Sequence, residues 1–185
     1  VLIQFANRSA SVLVATDVAA RGLDIANLEA VINVDVTPDP EVHIHRIGRT
    51  GRGEAEGWAL NLASMSEMGR VGNLELLQKR ESEWHKLEEL TPASDEPLLP
   101  PMVTIQLLGG RKEKLRPGDL LGALTGECGF VGSQIGKINV TDFHTYVAVD
   151  RDIADQVVTQ LNRVPVKGKK TKARLLKDVQ RQERD

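Results

Sequence analysis

The sequence is poor in the residues that build several common kinds of site. Its single cysteine, Cys128, excludes an internal disulfide, has no companion ligands for a metal cage, and is expected to pack as a small buried apolar side chain. Phe, Trp and Tyr together make up 3% of the 185 residues, so a surface that works by stacking has few rings to use. No apolar stretch approaches the roughly 20 residues of a membrane span, and the N-terminus has no basic segment leading into an apolar one. These absences point to a soluble, cytoplasmic chain. No G-x-x-x-x-G-K-[ST] sequence occurs either, so these residues hold no phosphate-cradling loop of that type.

The formal net charge of −2 conceals a division. Residues 1–100 hold 9 Lys and Arg against 16 Asp and Glu, a net of −7, whereas residues 101–185 hold 15 against 10, a net of +5. An acidic first part and a basic second part imply two domains, the second facing a polyanion.

The densest run of charge and glycine is His45-Arg46-Ile47-Gly48-Arg49-Thr50-Gly51-Arg52-Gly53. Arginines at i, i+3 and i+6 repel one another unless an anion sits between them, and the glycines clear the side chains that would keep it away. A phosphate is the natural partner. The competing reading is a solvated basic patch on a helix, but Gly48 and Gly51 would each cost a helix interior about 1 kcal/mol.

This run resembles motif VI of the DEAD-box group of superfamily 2 RNA helicases. Upstream, Val14-Ala15-Thr16-Asp17-Val18-Ala19-Ala20-Arg21-Gly22-Leu23-Asp24-Ile25 resembles that family's motif V, in the right order. The His at position 45, where RecQ-type DNA helicases have Gln, favours RNA over DNA. The resemblance implies the later portion of the second RecA-like lobe, a parallel sheet flanked by helices. Val1 in place of Met, followed by what reads as the last turns of an amphipathic helix, fits an internal piece of a longer protein.

The apolar pattern agrees with that α/β expectation. Ser11–Thr16, Ala30–Val36 and Gly57–Ala63 are short apolar runs of the kind found in strands buried on both faces, and Glu41–Gly48 and Glu67–Arg80 read as helices between and after them. Four of the eight prolines fall in residues 91–101, which read as a stiff linker. Beyond it, strand Met102–Leu108, helix Pro117–Cys128, strands Ile135–Thr141 and Thr145–Asp150, helix Ile153–Asn162 and strand Lys172–Leu176 give a β-α-β-β-α-β order. That order predicts a ferredoxin-like, RNA-recognition-motif-like α+β domain. The expected boundaries are 1–90 for the lobe, 91–101 for the linker, 102–177 for the RNA-binding domain and 178–185 for a charged tail.

Gly109-Gly110-Arg111-Lys112-Glu113-Lys114-Leu115-Arg116-Pro117-Gly118-Asp119, with Gly122-Ala123-Leu124, Ile135-Gly136-Lys137-Ile138 and Phe143, resembles the degenerate RNA-recognition domain that ends one bacterial branch of the DEAD-box group. The cold-shock DEAD-box helicases carry a related tail, so the branch stays open. The strands lack the usual rings: Val103–Leu108 has none and His144–Val149 keeps only Tyr146. Binding is therefore expected to move toward basic loops and strand edges.

The resemblance implies residue roles. Arg49 and Arg52 match arginine fingers that reach the γ-phosphate of ATP, which is bound with Mg2+ mainly by a first lobe; a permanently charged guanidinium suits the charge built up in phosphoryl transfer. Asp24 matches the contact to the ATP ribose, and Arg21 and His45 match residues that link the two lobes. Thr16 and Gly22 match contacts to RNA phosphates. Each has a structural alternative: ion pairing within the lobe, a helix cap, or loop bracing. In the second domain Arg111, Lys112, Lys114, Arg116, Lys137, Tyr146, Lys167, Lys169 and Lys170 are the candidate RNA contacts. His43 and His45 lack the spacing and partners of a metal pair, and no metal site is expected.

The resemblance further implies an RNA-stimulated ATPase, with a large-subunit ribosomal RNA hairpin and a pre-ribosomal particle as partners and a monomeric protein. The chain has neither the phosphate loop nor an Asp-Glu-Ala-Asp tetrad, so by itself it is expected to be inactive. A non-catalytic RNA-binding protein with a vestigial helicase lobe is the alternative.

Overall fold

The computed structural model describes residues 1–17, 25, 28–51, 53 and 56–176. They fall into two units: Ala15–Asp95, and a second that joins Val1–Val14 to the residues from Glu96 onward.

In the first unit β1 (Ala30–Asn33) pairs in parallel with β2 (Trp58–Asn61), Ala30 opposite Trp58 and Asn33 opposite Asn61. Between them runs α2 (Pro40–Ile47). Asp39 caps it by accepting from the Glu41 N–H at 2.9 Å, and Pro40 takes the first helical position, where a missing N–H costs nothing. After β2 comes α3 (Met68–Gln78), which stops where Lys79 adopts a left-handed φ of 52°. The core is small: Val36, Val71 and Leu74, with Ala63 against them. Glu67 adds a polar tie to this core. Its carboxylate accepts from the Ser64 hydroxyl at 2.6 Å, the Ser64 N–H at 3.0 Å and the Val36 N–H at 2.9 Å.

The second unit is an antiparallel sheet in the order β4-β5-β3-β6, built from β3 (Met102–Leu108), β4 (Ile135–Val140), β5 (His144–Asp150) and β6 (Ala173–Leu175). Two helices, α4 (Pro117–Gly122) and α5 (Ala154–Leu161), supply the other half of its core. Alternation decides the faces. Ile105, Leu107, Val147 and Val149 turn inward with Leu120, Leu124, Val157 and Leu161, all fully buried. Burying each such side chain contributes about 1.5–3 kcal/mol. A single π-helical turn, Ala123–Glu127, extends α4. Gly136 sits where the β4–β5 register shifts, and a Cβ there would meet the Met102 side chain at 2.7 Å. This is the ferredoxin-like arrangement expected from the element order.

Some expectations are overturned. Ser11–Thr16 forms no strand, and Val12 and Val14 are 63% and 92% exposed. No strand among the described residues pairs with it, and an apolar run without a ladder partner leaves its backbone groups to solvent. β1 and β2 are likewise not buried on both faces, since Ile32, Trp58 and Leu60 are exposed. Without bearing on the domain bounds, residues 1–14 lie in the same compact unit as the second sheet. There α1 (Leu2–Ala6) leads into Asn7, which accepts from the Asn139 amide at 2.8 Å, and into Ser9, hydrogen-bonded to Thr104. Both are polar side chains that find partners on a polar sheet face. Cys128 is half-buried rather than buried, and burial pushes its thiol up, which keeps it protonated.

Hydrogen bonds from the Ser64 hydroxyl, the Ser64 N–H and the Val36 N–H, with Arg70 nearby, lower the Glu67 carboxyl from its ordinary 4.5 to about 2. The sign follows: its stabilisation is complete above pH 4.5 and is lost as pH falls through about 2. Glu67→Gln is expected to flatten the acid-unfolding profile of the first unit in that window, measured by circular dichroism, and to leave the profile near neutrality parallel to that of the parent chain.

Candidate nucleic-acid interface

In the first unit the arginine run begins inside α2 and leaves it at Gly48. Its first member, Arg46, does not wait for a phosphate. Its guanidinium meets the Asp17 carboxylate in a fork, Nε to Oδ1 and Nη2 to Oδ2 both at 2.7 Å, and also donates to the Asp35 carbonyl at 3.1 Å. The hydrogen bonds to Asp17, foremost among the causes, raise the Arg46 pKa above its usual value. Protein carboxylates thus neutralise the first arginine of the run. His43, buried under α3, has its pKa lowered by burial and by Arg46, and its Nε2 lies 3.2 Å from the Gln78 amide.

The loop after α2 is held by its main chain. The Leu28 N–H donates to the Arg49 carbonyl at 3.0 Å, the Thr50 hydroxyl donates to the Leu28 carbonyl, and Gly51 and Gly53 take φ values of 60° and 66°. Arg49 is half-buried at the start of this loop, and His45 is exposed on α2. Thr16 is exposed in coil rather than at a strand end. Arg21, Gly22, Asp24 and Arg52 lie outside the described residues, as does everything beyond Leu176.

In the second unit a basic turn is fastened to the β4–β5 turn. The N–H groups of Gly109, Arg111 and Lys112 donate to the carbonyls of Phe143, Thr141 and Asp142 at 2.9, 2.8 and 3.0 Å. Gly110 is required at this approach, because a Cβ would fall 2.7 Å from the Asp142 carbonyl carbon. The turn closes with Lys114 in the left-handed region at φ 60°. Opposite it, Lys167 and Gly168, at φ 53° and 74°, form the centre of a tight turn between Val166 and Lys169. The Lys167 ammonium reaches across to the Lys114 carbonyl at 2.9 Å and to the Asp119 carboxylate at 3.1 Å. That contact, ahead of the Arg116 N–H, lowers the Asp119 pKa.

The result is a cleft of about 350 Å3 lined by Arg111, Lys114, Leu115, Arg116 and Lys167. Four of the nine RNA-contact candidates in this unit are therefore gathered in one place. Lys112 stands beside it, its ammonium 4.7 Å from the centre of the Phe143 ring. Lys137, Lys169 and Lys170 are exposed and do not line the cleft. Tyr146 lies on the open sheet face in a row across all four strands with Asn139, Gln106 and Arg174. Its hydroxyl accepts from the Gln106 amide at 3.2 Å, and Gln106 accepts from Arg174 at 2.9 Å.

The sequence did not single out the exposed ring of Phe143, because rings were sought on strands, nor Asp119 or the partner of Arg46. The sequence signal for Asp119 was present: it lies three residues after Arg116, where its side chain caps α4 by accepting from the Arg116 N–H at 2.9 Å. Among the described residues no cluster of His, Cys, Asp and Glu is arranged to hold a metal ion. No helix among them is long and apolar enough to cross a membrane.

Two family models match the chain: the helicase conserved C-terminal domain over residues 1–54 and the DbpA RNA binding domain over residues 104–175. The chain is 46% identical over 178 residues to the ATP-dependent RNA helicase DbpA of Escherichia coli K12, covering 95% of this chain and 38% of that protein. It is 32% identical over 180 residues to DbpA of Bacillus subtilis 168, covering 86% of this chain and 38% of that protein. The DEAD-box ATP-dependent RNA helicase CshA of Bacillus cereus ATCC 10987 is 50% identical over 80 residues, which is 43% of this chain and 15% of that protein. The chain thus spans 38% of the length of either DbpA relative.

The Arg46–Asp17 fork is partly open to water, with side chains 18% and 38% exposed, so its strength is discounted from that of a buried pair. A double-mutant cycle with Arg46→Gln and Asp17→Asn is expected to return a coupling of about 1 kcal/mol by urea unfolding. A coupling of zero means the fork is not what holds the start of the arginine run.

Proposed function

The chain belongs to the DEAD-box RNA helicases, in the branch marked by the DbpA RNA binding domain, and from that premise we propose that it is the C-terminal portion of an ATP-dependent helicase that remodels structured RNA. The target we favour is a large-subunit ribosomal RNA hairpin in a pre-ribosomal particle, met in the cytoplasm by a monomeric protein. ATP and Mg2+ are held mainly by a first lobe of the longer polypeptide. Arg49 and Arg52 reach the γ-phosphate from this one, Asp24 meets the ribose, Arg21 and His45 join the lobes, and Thr16 and Gly22 touch RNA phosphates. For this purpose the functional boundaries remain 1–90, 91–101, 102–177 and 178–185.

The observation that carries the reading is the Asp17–Arg46 fork, because it ties the two helicase-like motifs to one another. Arg46 is held by carboxylates, and it is Arg49 and Arg52 that we assign to the nucleotide. In the second domain, the clustering of Arg111, Lys114, Arg116 and Lys167 supports an RNA anchor that grips phosphates. Likeness to CshA favours a second reading, a cold-shock-type helicase, but it extends over 43% of the chain against 95% for the Escherichia coli DbpA. A non-catalytic RNA-binding protein remains the contrasting outcome of the test below.

In the polypeptide that joins this chain to its first lobe, Arg49→Ala is expected to lower RNA-stimulated ATP hydrolysis by about 10³-fold or more while leaving RNA affinity unchanged. Hydrolysis that persists at the parent rate, or an absence of hydrolysis before any mutation, sinks the helicase reading.

Phosphate contacts also predict a salt response. Binding of the 185-residue chain to a ribosomal hairpin should weaken steeply with salt, and removing the charges of Lys167, Lys169 and Lys170 together should reduce the log–log slope by up to about 3. Filter binding between low and physiological salt measures it.

A further inference from the structure

Base stacking needs an exposed ring, and the second unit has very few. Among its described residues Phe5, Phe130 and Tyr146 are each partly covered, and Phe130 packs against the core. The open face of the sheet, where a domain of this shape would ordinarily present its rings, is further obstructed. Thr104 in the middle of it is 1% exposed, covered by Asn7 and Ser9, and the Tyr146 hydroxyl is committed to Gln106. The exposed ring is Phe143, at 56%, and it lies at the β4–β5 turn rather than on a strand.

Its surroundings suit a nucleotide. The Lys112 ammonium stands over one face of the Phe143 ring, 4.7 Å from its centre, so a base would stack on the opposite face with a cation close by for its phosphate. The same turn carries Arg111 into the basic cleft. The three main-chain bonds that join residues 109–112 to residues 141–143 fix ring and cations relative to one another before any ligand arrives, which removes part of the ordering cost of binding. A lone hydrophobic side chain on a surface needs no explanation, but this one is flanked by cations held on a stapled turn.

We infer that Phe143 is the stacking platform for one unpaired RNA base, with Lys112 on that nucleotide's phosphate and the Arg111–Lys167 cleft taking the adjoining backbone. The site has moved from the sheet face to the turn at its end. This deepens the RNA-binding reading above and rests on it. It predicts a preference for single strands or loops over duplex, because a paired base does not offer its face to a protein ring.

The test uses the 185-residue chain with a single-stranded RNA oligonucleotide carrying one 2-aminopurine, and the same strand annealed to its complement. The parent chain should quench the single-strand fluorescence. Phe143→Leu should abolish the quench and weaken single-strand binding about tenfold, the scale of one lost base–ring stack, while duplex affinity and salt slope stay put. Phe143→Trp should restore both quench and affinity. Lys112→Gln should lower the salt slope by about 1. If Phe143→Leu binds and quenches as the parent does, or loses equally on duplex and single strand, the inference falls while RNA binding stands. If the parent chain binds neither RNA, the inference and the RNA-binding reading fall together.

Discussion

The staple between the Gly109–Lys112 turn and the β4–β5 turn is the constraint on which the second unit's chemistry depends. Three N–H groups of one turn donate to three carbonyls of the other. The approach is close enough that residue 110 must lack a side chain. Everything basic on that edge takes its place from this contact: Arg111 and Lys112 are the donors, Lys114 closes the turn, and Leu115 buries beneath it with 6% exposure. A surface of solvated lysines would scatter its charge, whereas main-chain bonds convert a local excess of cations into a shaped site.

The first unit solves a different problem with a side chain. The Asp17 carboxylate neutralises Arg46, which begins the arginine run. The fork geometry matches a planar guanidinium to a planar carboxylate, which a lysine at 46 could not reproduce. Arg49 then sits past the helix end, in a loop whose two positive-φ glycines turn the chain without steric cost.

The second fold was legible because each of its signals is local. Alternation of Ile105 and Leu107 against Thr104 and Gln106 sets the faces of β3, and Arg116-Pro117 starts α4 as a proline at the first helical position should. The first fold was less so. An apolar run such as Ser11–Thr16 reads as a buried strand only if another strand lies beside it, and no stretch of sequence states whether its partner is near. Val14, 92% exposed, is the consequence. The arginine run announced an anion, but the sequence could not say whether a ligand or an aspartate 29 positions upstream would provide it. Phe143 was hidden for a related reason: its role depends on the turn that faces it, 31 to 34 residues away.

Charge balance in the cleft explains why its cations remain available to a ligand. Arg111 donates to the Val140 carbonyl at 3.2 and 3.1 Å, and Lys167 to the Lys114 carbonyl at 2.9 Å. A carbonyl orients a cation without cancelling it. The carboxylates nearby are Asp142, 4.0 Å from Arg111, and Asp119, 3.1 Å from Lys167. Two of the four lining cations thus have an acidic partner, and Glu113, in the same turn, accepts from the Gly110 N–H at 2.7 Å. A backbone phosphodiester spreads one negative charge over two oxygens as a carboxylate does, so it can take the same two-pronged contact with a guanidinium. Had the same four cations been paired one to one, the edge would be a salt-bridge network with no affinity to spare; had they no carboxylates, mutual repulsion would open the cleft. The intermediate balance is what a site needs if it must hold its shape while empty and release its acids when a backbone arrives.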